Sequence, residues 1–318
     1  MKKSLLLFTM KPSILVGGQA VIEGVMMRVP GCYATAVRAP NGEIHIQKED
    51  FTSITESSSF WRRPIFRGMA SLYESMKMGM KTLNYSADIA MPEEEPQSKI
   101  AELFSTVFAI SLAVFLFMIS PMWVTTTILD IEKDAFWFNL VSGGFRILFF
   151  IVYLLTISFL SDVKRLFQYH GAEHRVVYNF ESGKDVNVKN AQAFPTQHPR
   201  CGTSFLFIVL LSAILVFALV DTLIIGVLGT ISLPLRLLFH LPLIPFVSGI
   251  GYELIKLSSK SNTLVFRILK KPGLWLQNIT TKNPEDEMVE VSIKALEKAF
   301  GQRYDEMLGK EYTAEAIG

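Results

Sequence analysis

Two histidines and a glutamate stand close together in the segment H-G-A-E-H, at His170, Glu173 and His174. A helix turns about 100° per residue, so a helical conformation would place the imidazoles about 40° apart and the carboxylate about 60° to the other side. All three side chains would then share one face. Two imidazoles at this spacing suit zinc or a similar ion, and a carboxylate beside them can orient or deprotonate a bound water. The order H-x-x-E-H is also that of the inverted zinc peptidases.

A second group of candidate ligands, His198 and Cys201, lies in the segment H-P-R-C-G-T-S. Either the His198 nitrogen or the Cys201 sulfur would supply a further ligand. If both joined His170 and His174 on one zinc ion, the tetrahedral site would be closed and structural, whereas an open position would suit catalysis. Without a metal, the histidines would only form hydrogen bonds and bind lipid phosphates. The spacing favours neither the closed nor the open site.

The elements that position these groups follow from the composition. Of the 318 residues, 50% are hydrophobic and 19% are charged, whereas a soluble domain carries about 25% charged residues. The net charge of +2 does not suggest nucleic acid as a partner. Long uncharged stretches exclude a wholly soluble enzyme and predict four membrane-spanning helices. These cover residues 101–129, 141–161 and two spans within 202–252, separated near 226–232.

The orientation of the spans follows from the loops, because lysine and arginine accumulate on the cytoplasmic side. The segment 161–200 and the tail after Tyr252 are rich in these residues, while the loops near 130–134 and after Asp221 are not. We therefore expect a multi-pass protein with both termini in the cytoplasm and membrane lipids as its partners. Its expected parts are an N-terminal cytoplasmic α+β region at 1–98, a membrane domain at 99–257 with a cytoplasmic metal-site loop at 161–203, and a C-terminal cytoplasmic helical tail at 258–318.

The N-terminal region contains two segments of alternating polarity, 33–37 and 43–47, joined by Pro40, Asn41 and Gly42. The Asn-Gly pair is typical of a type I′ turn, so we predict a β-hairpin. Apolar residues then recur at helical spacing across 64–84, opposite a charged face, which predicts an amphipathic helix. Just before a span, such a helix would either lie along the membrane surface or pack against the small sheet.

Several charged residues lie in apolar surroundings. Glu23 and Arg28 belong to the glycine-rich segment G-G-Q-A-V-I-E-G-V-M-M-R. They would form a buried pair, or their segment would dock over the metal site and offer one of them to substrate. Within the predicted spans, Asp221, Arg236 and His240 need partners or water, because an ionisable group is costly in hydrocarbon. We expect an Asp221–Arg236 pair, whereas a polar path that also joins His240 would indicate a transporter.

Four segments resemble the YqhQ family of bacterial membrane proteins: GGQAVIEGVMMR, HGAEHRVVYNFE, HPRCGTSF and PGLWLQNITTKNPEDE. The resemblance covers almost the whole chain after residue 12. This family is a domain of unknown function, described as a predicted metal-dependent enzyme. The resemblance therefore implies a bacterial cell membrane location and metal-site residues at His170, Glu173, His174, His198 and Cys201. The inverted zinc peptidases take their third ligand from a more distant glutamate, whereas this family offers a histidine and a cysteine. This difference argues against proteolysis.

Together these features predict an α-helical polytopic membrane protein, with about four transmembrane helices and a small N-terminal α+β region containing a β-hairpin. The predicted function is a metal-dependent hydrolase, with zinc as the expected divalent metal and Glu173 as the general base. A site at the membrane surface favours a membrane-proximal or lipid-linked substrate. The alternative is a non-enzymatic membrane scaffold or transporter, in which a structural metal site only joins the loop to the span ends.

Overall fold

The structure, a computed structural model, describes residues 13–92, 98–131, 134–260 and 263–314. Residues 1–12 of the predicted N-terminal region and residues 315–318 of the predicted C-terminal tail lie outside this part of the chain. The strands are β1 (Ser13–Ile14), β2 (Gly17–Val21), β3 (Gly24–Val29), β4 (Cys32–Arg38), β5 (Ile44–Asp50) and β6 (Thr313–Ala314). The long helices are α1 (Phe66–Ala90), α2 (Lys99–Val114), α3 (Ala135–Ile157), α4 (Ser161–Glu181), α5 (Gly202–Leu228), α6 (Leu233–Lys260), α7 (Leu264–Thr280) and α8 (Asp286–Phe300). Helix α2 continues through Phe115–Ile119, Ser120–Trp123 and Val124–Ile128, and short helical segments cover Ile54–Ser57, Val188–Gln192, Gly301–Arg303 and Tyr304–Met307.

Four strands form an antiparallel sheet in the order β2-β3-β4-β5. The predicted hairpin is confirmed as β4 and β5, but the predicted type I′ turn is wrong. Ala39 N–H donates to the Glu43 carbonyl at 2.9 Å, so the loop has three residues, of which Gly42 has a positive φ of 88°. Pro40 fixes its own φ at about −65°, which suits the first central position of a type I turn followed by a glycine in the left-handed region.

The glycine-rich segment forms a second hairpin, β2 and β3, where no strand was predicted. Strand β3 is buried on nearly all of its length and on both faces. A strand covered on both sides has a continuous apolar sequence instead of an alternating one. The alternation used to recognise β4 and β5 is therefore missing from β3.

Four helices of the described chain are long and apolar enough to cross a membrane: Leu103–Ile128, Ala135–Ile157, Gly202–Leu228 and Leu233–Ser258. Their number and order agree with the prediction, and the break between the last two lies within the predicted range. The second helix begins and ends earlier than the predicted 141–161. Asp134 sets its start, because this side chain accepts a hydrogen bond from the Trp137 N–H at 3.0 Å and caps the helix.

Helix α1 is amphipathic, as predicted, but packs through its other face. Tyr73 and Met76, on the predicted apolar face, are 58% and 63% exposed. Apart from Met78, the buried face is made of small and polar residues, and it lies against α6 and the sheet. Gly68 permits this approach, because a Cβ at this position would lie 2.6 Å from the Cβ of Tyr252. The helix therefore packs against the sheet and leaves its apolar face exposed.

One hydrophobic core joins the three regions that were predicted to be separate cytoplasmic parts. Buried residues of β3 and β4, such as Val25 and Ala34, pack in one cluster with Val176 of α4 and Leu296 of α8. Strands β1 and β6 pair in parallel and bring the two ends of the described chain together. The N-terminal sheet, α4 and the C-terminal tail thus form a single packed unit, which positions the candidate site.

Candidate functional site

The segment H-G-A-E-H lies in the middle of α4, on the face that packs against the rest of the core. Much of the segment 161–203, which was predicted to connect the second and third spans, is this helix. The histidines also do not lie on a continuation of the preceding span, because α3 ends at Ile157 and α4 starts at Ser161. The predicted helical face is nevertheless present: the ring centroids of His170 and His174 are 4.5 Å apart.

Cys201 completes a group of three candidate metal ligands, which we call the trio: His170, His174 and Cys201. The residue directly precedes α5, and its Sγ lies 3.2 Å from Nε2 of His170. One ligand atom from each member of the trio lies within 4.8 Å of the others. Two imidazoles and a thiol are nitrogen and sulfur ligands of the kind that zinc prefers.

The outer nitrogens of both histidines are occupied by backbone carbonyls. Nδ1 of His170 lies 2.9 Å from the carbonyl oxygen of Thr280, and Nδ1 of His174 bonds to the carbonyl of Thr196. A carbonyl oxygen only accepts, so Nδ1 carries the hydrogen in both rings and Nε2 keeps its lone pair. This arrangement is the usual support of a metal-binding histidine, because it fixes both the tautomer and the orientation of the ring. The donor set of the trio therefore fits a metal ion.

Glu173 is buried beside the trio, with Oε2 at 3.4 Å from Nε2 of His174. Burial raises the pKa of Glu173 to about 7, against opposing effects of the nearby His170 and Arg200 and of a hydrogen bond from the Gly18 N–H. Gly18 belongs to β2, and a Cβ there would lie 3.1 Å from Cγ of Glu173. The glycine therefore allows the strand to reach the carboxylate.

His198 lies next to the trio but is not one of its members. Its ring centroid is 5.5 Å from that of His174, and its Nε2 is 3.8 Å from a carboxylate oxygen of Glu181. Burial lowers the pKa of His198 to about 4, although Glu181 opposes this shift. The His198 imidazole is therefore neutral at physiological pH, and it contacts the Glu181 carboxylate and the His174 ring.

A polar pocket of about 110 Å³ opens over these groups. Its lining brings together all five residues of the two predicted motifs: His170, Glu173, His174, His198 and Cys201. Gly18 and Arg200 also line it. The two sequence motifs thus meet in one place, although only three of their residues approach as closely as ligands of one ion would.

Helix α7 supports the pocket, and the sequence provided no role for it. The buried side chain of Gln277 accepts from the His198 N–H at 2.6 Å and donates to the His198 carbonyl at 2.9 Å. Thr280, one turn further on, supplies the carbonyl for His170. A signal was present in PGLWLQNITTKNPEDE, because the polar residues Gln277 and Thr280 are three positions apart and so share one face of a helix with the apolar Leu276.

The first alternative for Glu23 and Arg28, a buried pair, is wrong. Nε and Nη2 of Arg165 donate to the Glu23 carboxylate at 2.6 and 2.5 Å. Arg28 instead lies over the ring of Phe51 at 4.3 Å. Glu23 directly precedes strand β3 and Arg28 lies near its far end, about 16 Å away at 3.3 Å per residue, so the two side chains cannot meet. Their segment does dock on α4, but neither side chain lines the polar pocket.

Asp221, Arg236 and His240 meet in the interior of the helical bundle. Asp221 lies 3.6 Å from Nε of Arg236, so the predicted pair is present. The same carboxylate bonds to Nε2 of His240 at 2.9 Å and to Nδ2 of Asn139 at 2.7 Å. All four side chains are buried. The Asp221 carboxylate therefore joins Arg236 and His240 in one cluster, and none of these residues lines the polar pocket.

Comparisons with known proteins give a family but no activity. Residues 63–302 match a family model described as a protein of unknown function, DUF1385. The chain is also 32% identical over 294 residues to the uncharacterized protein YqhQ of Bacillus subtilis strain 168, an alignment that covers 88% of this chain and 90% of the relative. No solved structure matches the chain.

Proposed function

The chain belongs to the DUF1385 family of proteins of unknown function, and we propose its function from its own residues. We propose that it is a multi-pass protein of the bacterial cell membrane that carries a metal-dependent hydrolase site on the cytoplasmic face. The trio would hold the ion, with zinc as the expected metal. The observation that carries the proposal is the convergence of Nε2 of His170, Nε2 of His174 and Sγ of Cys201 beside a buried carboxylate.

The number of ligands supports catalysis. Catalytic zinc sites use three protein ligands and keep one position open, whereas structural sites use four. When bound, the ion would polarise a carbonyl or phosphoryl group and make water a better nucleophile. Glu173 would accept a proton from the attacking water and pass it to the leaving group as the bond to carbon or phosphorus breaks.

The position of the trio supports a substrate at the membrane surface. Cys201 directly precedes α5, which is long and apolar enough to cross a membrane. The excess of lysine and arginine in the segment 161–200 favours the cytoplasmic side. A site at the cytoplasmic end of a span would act on a membrane-proximal or lipid-linked substrate.

The first test measures metal in the purified full-length protein. We expect about one zinc per chain in the wild type and less than about a tenth of that in the His170→Ala, His174→Ala double variant, because tetrahedral binding requires these ligands. His45→Ala is the matched control, since this histidine is exposed on β5. Elemental analysis that found negligible metal in both wild type and double variant would remove the metal site from the proposal.

The second test separates catalysis from metal binding. Glu173→Gln should keep its zinc and lose about 10²–10⁴-fold in hydrolysis, the usual contribution of a general base. The assay is the hydrolysis of a panel of chromogenic carboxylic and phosphoric esters of graded chain length. Retained activity in Glu173→Gln would exclude the proposed base.

The alternative function is a non-enzymatic scaffold or transporter with a structural metal site. The proximity of His198 favours it, because this ring lies beside His174 and would complete a four-ligand site after a small movement. His198→Ala distinguishes the two functions. A catalytic three-ligand site keeps its zinc in this variant, whereas a closed structural site loses it.

A further inference from the structure

A second, larger cleft begins at the trio and leads away from the polar pocket. Its volume is about 480 Å³, which lies within the range of about 300–1,000 Å³ for small-molecule sites. It shares Gly18, His170, Cys201 and Gly202 with the polar pocket. We call it the apolar cleft, because most of the surface that lines it is hydrocarbon.

The walls of the apolar cleft come mainly from α1, α4 and α5, together with part of β2 and Tyr252 of α6. Small residues of α1, including Ser71 and Ser75, leave room on one side, while Leu72 contributes an apolar surface. The first turns of α4 and α5 add further apolar side chains, with Phe205 and Leu206 on α5. The cleft is therefore wide near α1 and lined with hydrocarbon along α5.

The far end of the apolar cleft reaches the surface of a helix that is able to cross a membrane. Leu206 lies on the second turn of α5 and is 46% exposed. Leu215 and Leu219, which lie about 180° and 140° around the same helix from Leu206, are 69% and 61% exposed on other faces. The apolar lining thus extends from the trio to Leu206 at the surface of α5, without an intervening charged side chain among the lining residues.

We propose that the apolar cleft binds the hydrocarbon chain of a membrane lipid, with the polar end of that lipid at the trio. This inference rests on the proposed function for its chemistry and narrows the substrate class from membrane-proximal molecules to lipids. A hydrocarbon chain needs no hydrogen bonds, whereas a peptide in the same cleft would bury amide groups at a cost of about 1–3 kcal/mol each if unpaired. Gln19, Ser71, Ser75 and Thr203 add polar groups, but most of the wall surface is hydrocarbon and matches a lipid chain better than a peptide backbone.

Photocrosslinking of the full-length protein in lipid vesicles tests this inference. The vesicles contain phosphatidylglycerol, phosphatidylethanolamine and a phospholipid with a diazirine in its acyl chain, and peptide mass spectrometry locates the crosslinks. We expect crosslinks at Leu72 and Phe205 in addition to those at Leu219, which lies on the exposed face. Ser71→Trp should fill the cleft and reduce the first two at least tenfold, leaving the crosslink at Leu219 unchanged.

Leu219→Trp is the matched control, since it places the same side chain on the exposed face of α5 and should leave the crosslinks in the apolar cleft intact. Ser75→Phe provides a second filling variant if Ser71→Trp does not fold. Crosslinks at Leu219 without crosslinks in the cleft of the wild type would overturn the inference. So would displacement of the cleft crosslinks by an apolar peptide but not by a single-chain fatty acid.

The crosslink requires neither metal nor turnover, so the two proposals can fail separately. Metal analysis of the same samples reports on the hydrolase site. Cleft crosslinks without bound zinc would support the lipid site and contradict the proposed function. Bound zinc and hydrolysis of soluble esters without cleft crosslinks would contradict the lipid site alone.

Discussion

Replacing Gln277 with leucine tests whether one buried amide holds the Cys201 segment in place. The side chain is fully buried and makes two hydrogen bonds with the backbone of His198. Leucine can make neither, so two buried backbone groups would lose their partners at about 1–3 kcal/mol each. The docked segment should therefore be destabilised by about 2–6 kcal/mol relative to an open one. Since 1.4 kcal/mol is a factor of ten, the open population should rise at least about 25-fold.

The assay is the rate at which a thiol reagent labels Cys201. Cys201 is 8% exposed, so opening of its segment should accelerate the reaction of its thiol. Wild type and Gln277→Leu are stripped of metal by a chelator, treated with N-ethylmaleimide in detergent and analysed by peptide mass spectrometry. Cys32 serves as an internal reference for global unfolding, because it is buried in the core and donates to the Ala299 carbonyl.

Gln197→Leu is the matched control for this substitution. The Gln197 side chain also donates to a residue of α7, Asn278, at 2.7 Å, but this bond is exposed to solvent. An exposed bond contributes within about 0.5 kcal/mol, so labelling should change by no more than about twofold. A Cys201 rate in Gln277→Leu within about threefold of the wild type would refute the supporting role of the buried amide. Equal acceleration at Cys32 would show that the whole core had unfolded instead.

Three further predictions concern other parts of the fold. In Gly18→Ala the added Cβ would lie 2.2 Å from the Met26 carbonyl oxygen. We therefore expect the free energy of unfolding to fall by about 1–3 kcal/mol and the bound zinc to decrease. An unchanged melting temperature and metal content would contradict this prediction. Asp221→Leu should cost about 3–5 kcal/mol by removing the carboxylate from a buried ion pair, seen as loss of the monodisperse peak in size-exclusion chromatography. Burial tends to raise the pKa of Glu49, but the Lys81 ammonium and a hydrogen bond from the Tyr33 hydroxyl together outweigh it and hold this pKa below its usual range. The ionised Glu49 carboxylate therefore stabilises the fold above its unfolded pKa, and this stabilisation is lost as the pH falls through its folded pKa. Glu49→Gln should lower the melting temperature at neutral pH. Below about pH 4 the wild type and the variant should melt alike.

The features that the sequence predicted correctly depend on short stretches of chain. The four candidate spans are continuous apolar runs, so length and composition alone identify them. The face shared by His170 and His174 follows from the helical repeat. Cys201 approaches His170 and His174 because the segment between the two motifs folds back. The sequence suggested this, since both motifs lie next to predicted spans.

The features that the sequence did not predict depend on contacts between distant segments. Glu23 pairs with Arg165, which is 142 positions away, so no local pattern distinguishes this partner from the nearby Arg28. The buried face of α1 was predicted from hydrophobicity, but close packing against α6 favoured the small residues around Gly68 instead. The support from Thr280, 110 positions from His170, had the same long-range origin.

The candidate site is assembled from segments that must dock before their atoms can converge. His170 and His174 come from α4, Cys201 from the start of α5, and the carbonyl that orients His170 from the end of α7. Glu173 receives its hydrogen bond from β2. A ligand that binds only the docked arrangement stabilises that arrangement. Metal binding at the trio and packing of the core around α4 should therefore strengthen each other, and a substitution that loosens either should weaken both.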